Sequence, residues 1–374
     1  MNQANPLIAP DLLRKSKKIL FIAHLALGDF TYLQNCFAAF KRAYPHLDVH
    51  IWVDEVRRTA DEKQWPQLEK YALYDWLAAC PFFSKVYSKT YSPQLFDASL
   101  ADAQREQYPI VVSLATLRPH MYAGIARAIA PQGFVVGMRA PFSILAPHHL
   151  LAWRKLDATL SPNPLHDVPG HHISDVYADW FHSLTGLQIT PSERLPFVLI
   201  PDAWQREARA RLASWDFAGK PGQLVFVNPF AKTKKRCWPL ERVAELIAAM
   251  QQRDEWADAC FIVNAMPHEL ARAREVVSSY GLGRTQFFSA TDNFFQLPAM
   301  LAECDLIISV ETAVMHLANA VHVPVVALMR QKNPEWVPVD RAHSTVITAL
   351  QRRDWVKEIS VQAVLHALPA QVLP

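Results

Sequence analysis

Short β-rich runs alternating with helical stretches predict an α/β protein built from two doubly wound parallel sheets. Three observations carry this reading. The β-rich runs, such as Lys18–Ala23 (KILFIA) and Leu224–Asn228 (LVFVN), are poor in charge and rich in branched side chains. Strands covered by helices on both faces require that composition. The alternation also restarts in the second half, after a proline-bearing stretch, Thr190 to Pro201, that has no clear period and reads as a linker. Finally, 374 residues are ample for two domains of ordinary size.

In order, the first half gives a strand at Lys18–Ala23, a helix over Asp29–Tyr44, a strand at Val49–Val53 and a helix over Pro66–Ala78. A strand near Pro109–Ser113, a helix over Pro119–Ala130 and a strand at Phe134–Gly137 follow. The second half gives strands at Leu224–Asn228, Phe261–Asn264, Gln286–Phe288, Leu306–Ser309 and Val325–Leu328. Helices over Pro239–Met250, Pro267–Tyr280, Phe294–Glu303 and Ala313–Val321 alternate with them. The expected domains are 1–185 and 186–350, two Rossmann-like units facing each other across a cleft at the carboxyl ends of their sheets. Residues 351–374 are expected to form a C-terminal helix that either stays with the second domain or crosses back to the first.

Composition removes several classes of function. Apolar residues make up 51% and charged residues 20%, so the chain can bury a sizeable core. A net charge of +3, with no stretch of basic residues interleaved with aromatics, argues against nucleic acid as a partner. The cluster Arg14, Lys15, Lys17 and Lys18 reads as a solvated edge, or else as a weak attraction to an anionic membrane face. Five scattered cysteines without a Cys-x-x-Cys pair suggest neither a disulfide framework nor a zinc site and fit a reducing cytoplasm. Residues Met1 to Pro10 lack the pattern of a signal peptide, and no apolar run approaches the roughly 18 residues needed to span a bilayer. The pairs His148-His149 and His171-His172 have no familiar ligand spacing, although Asp167 and Asp175 lie near the second, so no metal is expected.

Four strand-to-helix turns carry candidate chemistry. After the first strand comes Gly28-Asp29, where glycine permits a tight bend and aspartate can cap the next helix. Alternatively Asp29, at the carboxyl edge, is a general base for an acceptor hydroxyl, and its position favours that role. The loop from Asn228 to Pro239 carries Lys232, Thr233, Lys234, Lys235 and Arg236 ahead of a helix opened by proline. Free N–H groups, the helix dipole and these cations suit a diphosphate leaving group; a solvated basic loop is the plainer reading. The segment Glu311-Thr312-Ala313-Val314-Met315-His316 follows a buried strand and starts a helix, with Thr312 and His316 one turn apart on one face. Glu311 can hold sugar hydroxyls while Thr312, Ala313 and His316 meet phosphate, although a lone histidine on such a helix is commonly a core residue. At Met266-Pro267-His268-Glu269, Glu269 can accept from a ribose with Met266 bordering the base, or simply cap the helix. The Gly-x-Gly-x-x-Gly fingerprint is missing and the chain has only ten glycines, which disfavours a nicotinamide oxidoreductase.

These features, in this order, resemble glycosyltransferase family 9, the lipopolysaccharide heptosyltransferases, over most of the chain from Lys18 to about Pro338. The matches are Gly28-Asp29, Arg236 two places before Trp238-Pro239, and Pro267-His268-Glu269. Glu311-Thr312-Ala313-Val314-Met315-His316, followed by Pro324-Val325-Val326-Ala327-Leu328, completes the set. The resemblance implies the GT-B fold and an inverting, metal-independent transfer of heptose from ADP-heptose, a co-substrate rather than a cofactor. The implied acceptor is a lipopolysaccharide core on the inner face of the cytoplasmic membrane, with peripheral membrane contact. By the same resemblance Asp29 is the base, Lys232, Thr233, Arg236, Thr312, Ala313 and His316 hold the diphosphate, Glu311 the sugar, and Met266 and Glu269 the nucleoside.

The sequence departs from the family pattern at identifiable places. Glu311 and Ala313 stand where the family has aspartate and glycine, and His322 stands where it usually has glycine. Ser113-Leu114-Ala115-Thr116 replaces an Asp-x-Gln-Gly stretch, followed by Arg118 and His120, which are candidates for an anionic acceptor or for plain solvation. The rival readings are a family 9 enzyme with another nucleotide sugar or acceptor, and a non-catalytic nucleotide-sugar binder.

Overall fold

The charge-poor runs become strands, and each half of the chain closes its own parallel sheet. The computed structural model describes residues 5–54, 57–139, 153–215, 217 and 222–369. Contacts divide the chain into two units, Met1–Arg194 and Leu195–Pro374, the division falling inside the aperiodic stretch that begins at Thr190.

In the first unit, strands β1 (Lys18–Ala23), β2 (Asp48–Val53), β3 (Lys85–Tyr87), β4 (Ile110–Ser113), β5 (Phe134–Met138) and β6 (Ala158–Leu160) are ordered β3-β2-β1-β4-β5-β6. In the second, β7 (Leu224–Asn228), β8 (Cys260–Asn264), β9 (Thr285–Phe288), β10 (Leu306–Val310), β11 (Val325–Met329) and β12 (Ser344–Thr348) are ordered β12-β11-β10-β7-β8-β9. Every neighbouring pair is parallel. Both orders are the doubly wound 3-2-1-4-5-6 arrangement, with the winding reversing between β1 and β4 in one unit and between β7 and β10 in the other.

Alternation along β1 assigns its two faces. Leu20 and Ile22 pack with Trp52, Tyr108 and Val111 on one side. Phe21 points the other way, its ring 5.1 Å from Phe37, 5.5 Å from Phe40 and 5.7 Å from Phe181. Phe37 and Phe40 lie on the helix Leu27–Ala43 and Phe181 on the helix Ile173–Thr185, so this aromatic cluster holds the two helices together on one face of the sheet. In the second unit Val225, Val227, Ile308 and Val310 pack with Trp238 and with Leu246 and Ile247 of the helix Leu240–Gln251. The C-terminal helix, Val361–Ala367, adds Val364 and Leu365 to the same core, which answers where it docks: on the second unit.

Several elements differ from expectation. The helix expected over Pro66–Ala78 is two short ones, Trp65–Glu69 and Ala72–Ala79. Strands β3, β6 and β12 and the helices Pro93–Arg105, Ile173–Thr185 and Asp202–Ser214 were not anticipated. Strands of three residues show too little alternation to read, β12 is a largely exposed edge, and Pro93–Arg105 and Asp202–Ser214 each bury one residue fully. Within the expected C-terminal helix of 351–374, the described residues are helical only over Val361–Ala367, preceded by a 3-10 turn at Val356–Glu358.

Candidate functional site

In the first unit the chain leaves β1 and enters the helix Leu27–Ala43 within four residues, which puts Asp29 in the first helical turn at the carboxyl edge of the sheet. Asp29 fills the first of its two expected purposes, closing the helix turn, and its second oxygen is held by a tyrosine. Its Oδ2 accepts from the Ala26 N–H at 3.1 Å and closes the turn, while its Oδ1 accepts from the Tyr177 hydroxyl at 2.9 Å. Burial pushes the Asp29 carboxyl above the usual aspartate value, opposed by Tyr177, the Ala26 N–H and His24. A carboxylate raised in this way is a better proton acceptor. Gly28 lies inside the helix and is not left-handed, so the bend expected of it is ordinary helical backbone. Tyr177 is 4% exposed and sits on Ile173–Thr185, the helix tied to Leu27–Ala43 by the phenylalanine cluster.

Arg118 and His120 lie past the carboxyl end of β4, the strand beside β1 at the switch point. Arg118 is exposed and left-handed, with φ at 51°, and is followed by Pro119 at the start of its helix. His120 is half-buried in the first turn. The end of β2 holds a polar group that the sequence did not suggest. Asp54, 6% exposed, pairs with Arg58 and accepts from the Tyr122 hydroxyl at 2.9 Å, and Arg58 lies over the Phe96 ring at 3.5 Å. Part of the amino-terminal basic cluster is neutralised, Arg14 by Asp11 and Lys18 by Glu106 at 2.6 Å.

In the second unit the other candidates share one edge. The ends of β11, β10, β7 and β8 are four neighbours carrying, in that order, Arg330, Glu311 with Thr312, the Asn228–Pro239 loop, and Met266 with Glu269. At about 4.8 Å per strand, that row spans about 14 Å, the scale of a nucleoside diphosphate. A hydrogen-bonded chain of side chains stiffens the strand ends. Asn264 donates to Asn228 at 2.8 Å, and Asn228 donates to Ser309 and to Thr312, each at 3.0 Å. Thr312 Oγ1 also accepts from the Val314 N–H at 3.3 Å and so caps the helix Ala313–Ala320.

The basic loop is pinned at both ends. Trp238, 2% exposed, donates from its backbone to Pro229 at 2.8 Å and from its indole to Ile359 at 2.9 Å. Cys237 Sγ accepts from the Ala231 N–H at 3.2 Å. Between the pins Lys232, Thr233, Lys234 and Lys235 are exposed, and Lys234–Arg236 form a 3-10 turn. Arg236 turns inward. Its Nε lies 2.8 Å from Glu311 Oε1 and its Nη2 donates to the Glu311 carbonyl at 2.9 Å. The helix opens at Leu240 with Pro239 as its cap, one residue later than the sequence suggests.

Glu311 is 5% exposed, and arginines engage both of its carboxylate oxygens: Arg330 Nε donates to Oε1 and the Arg330 N–H to Oε2 at 3.1 Å, while Arg236 Nε lies beside Oε1 as an ion pair without a hydrogen bond. An ionised carboxylate has about four acceptor positions, so two hydrogen bonds leave about two for any sugar hydroxyl. Ala313 is half-buried in the first turn of its helix, and His316 is 3% exposed with its ring 6.0 Å from Trp336. Met266 is 54% exposed, and Glu269 stands at the N-cap position of the helix Leu270–Ser278 without a side-chain capping bond, 3.5 Å from Arg272. Among the described residues, no three His, Cys, Asp or Glu side chains gather as metal ligands, and no helix is long and apolar enough to cross a membrane. His148 and His149 lie outside the described residues.

The comparison with protein families agrees with the resemblance over the second unit. The model for glycosyltransferase family 9 (heptosyltransferase) matches residues 180–363. The chain carries a glycosyltransferase family 9 domain. The match runs from the end of the helix Ile173–Thr185 through the C-terminal helix, so it takes in every candidate residue of the second unit. Similar solved structures include a family 9 glycosyltransferase from Veillonella parvula, with 18% identity, a TM-score of 0.71, and 94% of this chain and 95% of that one covered. The ADP-heptose lipopolysaccharide heptosyltransferase II of E. coli gives 15% identity, a TM-score of 0.66 and coverage of 94% and 97%. E. coli heptosyltransferase WaaC with ADP gives 15%, 0.59, and 93% and 96%. At these identities the likeness is one of fold, and it places the chain in the α/β GT-B class. No curated protein sequence matches it.

Within the family 9 domain, sequence reasoning found the loop, the helix cap and the Glu269 turn but missed Arg330, which directly follows a well-read strand. In the first unit it missed Tyr177. The apolar spacing Val176, Tyr177, Trp180, Phe181 and Leu184 is a helical signal that would have found the element, though not its neighbour.

Proposed function

We propose that this family 9 protein is an inverting, metal-independent glycosyltransferase that moves a heptose from ADP-heptose to a lipopolysaccharide inner-core acceptor at the inner face of the cytoplasmic membrane. The observation that carries the reading is the cationic edge at the switch point of the second unit, where Arg236 and Arg330 meet Glu311 just before the capped start of the helix Ala313–Ala320 and the exposed lysines follow β7. Such an edge suits the departing diphosphate, whose charge develops as the glycosidic bond breaks.

In the proposed step an acceptor hydroxyl oxygen attacks the anomeric carbon from the face opposite the diphosphate. Its proton passes to the Asp29 carboxylate, and the bond from the anomeric carbon to the diphosphate oxygen breaks, its electron pair leaving with ADP. Guanidinium, ammonium and helix N–H groups stabilise that oxygen without a metal ion. Lys232, Thr233, Arg236, Thr312, Ala313 and His316 serve the diphosphate, Met266 and Glu269 the nucleoside, and Glu311 contributes its free acceptor capacity to the sugar. Arg118 and His120 meet the acceptor. Two of the similar structures are the ADP-heptose lipopolysaccharide heptosyltransferase II and WaaC with ADP, which supports the choice of nucleotide.

A second reading, a family 9 enzyme using another nucleotide sugar, is favoured by one observation: both carboxylate oxygens of Glu311 are already engaged by arginines. Turnover with ADP-heptose set beside UDP- and GDP-sugars, followed by nucleotide release and acceptor mass, separates the two. Release from ADP-heptose alone is expected. Release from a different donor selects the second reading, and release from none overturns both.

A further inference from the structure

Arg330 follows β11, and its side chain is 11% exposed. Two opposite partners hold it. Its Nε pairs with Glu311, whose side chain is 4% exposed, and its guanidinium carbon lies 5.1 Å from the centre of the Trp355 ring. Around that same indole stand Lys235 at 5.3 Å and Lys332 at 5.6 Å. Arg236 shares the Glu311 oxygen with Arg330. Four cations therefore converge on one carboxylate and one ring, and among the described residues Glu311 is the one carboxylate paired with any of them.

The charge does not balance. One carboxylate set against two guanidiniums leaves an excess of at least one positive charge in a half-buried place, and the two ammonium groups add to it. Like charges gathered where water is scarce repel, and an anion relieves that repulsion. The orientation of Arg330 is also fixed before any ligand arrives. With Nε spent on Glu311 and one face on Trp355, its four Nη hydrogens meet no acceptor among the described residues. A planar fork held in this way is suited to two neighbouring phosphate oxygens, with little entropy left to lose on binding.

We infer that Arg330 is a diphosphate-binding residue of this site and that Glu311 acts through it, as a positioning residue that aims the Arg330 and Arg236 guanidiniums. This rests on the donor reading above and adds to it two assignments, a new contact and a changed main role for Glu311. The competing explanation is that Glu311 and Arg330 merely lock the turns after β10 and β11, as buried ion pairs can.

Calorimetric titration of the full chain with ADP, AMP and adenosine distinguishes these. Arg330→Gln is expected to weaken ADP about 10- to 100-fold, the range of a charge-assisted contact, to weaken AMP less and to leave adenosine unchanged. Arg330→Lys, which keeps a charge beside Glu311, is read if Arg330→Gln loses its melting transition, and about a 10-fold loss for ADP is expected because an ammonium lacks the fork. In a double-mutant cycle the Arg330→Gln loss shrinks in a Glu311→Gln background, because the guanidinium is no longer aimed. ADP affinity within about 3-fold of wild type in the folded Arg330 variants overturns the binding assignment, and additive losses overturn the positioning role of Glu311. A wild-type chain that does not bind ADP overturns the donor reading itself, which separates that failure from the failure of Arg330.

Discussion

The Tyr177 hydroxyl donates to Asp29 Oδ1 at 2.9 Å, and the two residues are 148 positions apart in the chain. The contact exists because Phe21, Phe37, Phe40 and Phe181 press their two helices onto the same face of β1. It leaves the carboxylate oriented and raised in pKa by burial, with the tyrosine bond opposing that rise.

A pH prediction follows from the sign of each influence. Turnover requires the ionised carboxylate, so it falls as pH drops through the pKa of Asp29 in the folded protein. Tyr177 stabilises the ionised form, so Tyr177→Phe raises that pKa further and moves the acid limb of the kcat profile to higher pH. An acid limb in the same place for both proteins contradicts a base held by Tyr177.

Trp238 is the anchor of the basic loop. Trp238→Ala is expected to cost about 3–5 kcal/mol of unfolding free energy, measured by denaturant titration, because it empties a core site and removes the indole bond to Ile359. Trp238→Phe keeps most of the packing and loses the indole bond, for about 1 kcal/mol. A loss below about 1 kcal/mol for the alanine variant contradicts the anchoring role.

His322 has φ at 59°, just past the helix Ala313–Ala320, where its N–H donates to the Asn319 carbonyl at 3.2 Å. Left-handed backbone strains a residue that has a Cβ by roughly 1–2 kcal/mol, and glycine gives back part of that gain through its freer unfolded chain. His322→Gly is therefore expected to stabilise the fold by about 0.5–1 kcal/mol, or about 1–4 °C in Tm by scanning calorimetry. A lower Tm contradicts the strain.

Metal removal is expected to leave turnover intact. Arg236, Arg330 and the first turn of Ala313–Ala320 already present positive charge where the diphosphate would leave. The check is the rate before and after dialysis against EDTA; a rate restored only by added magnesium or manganese contradicts a leaving group held by protein cations.

The fold was legible because its central strands are continuous apolar runs, and Asp29, Thr312 and the basic loop were legible because each follows such a run. His322 was visible as a misfit at a position that favours glycine, and its backbone angle gives the reason. The partners of these residues were not legible. Tyr177 meets Asp29, and Trp355 meets Arg330, only through the packing of helices and turns, and no local spacing records either contact. Glu311 illustrates the difference most clearly. Its place after β10 was read correctly, but its engagement by two arginines comes from the register of β7, β10 and β11, which sets three turns side by side.

The division of work between the units is tested most directly by Asp29→Asn, assayed for turnover and for ADP affinity in the same preparation. The amide keeps the shape of the helix turn but cannot take the proton. A fall in kcat of about 10²- to 10⁴-fold with ADP affinity unchanged is the expected result. Turnover within a few-fold of wild type contradicts Asp29 as the base and with it the proposed mechanism.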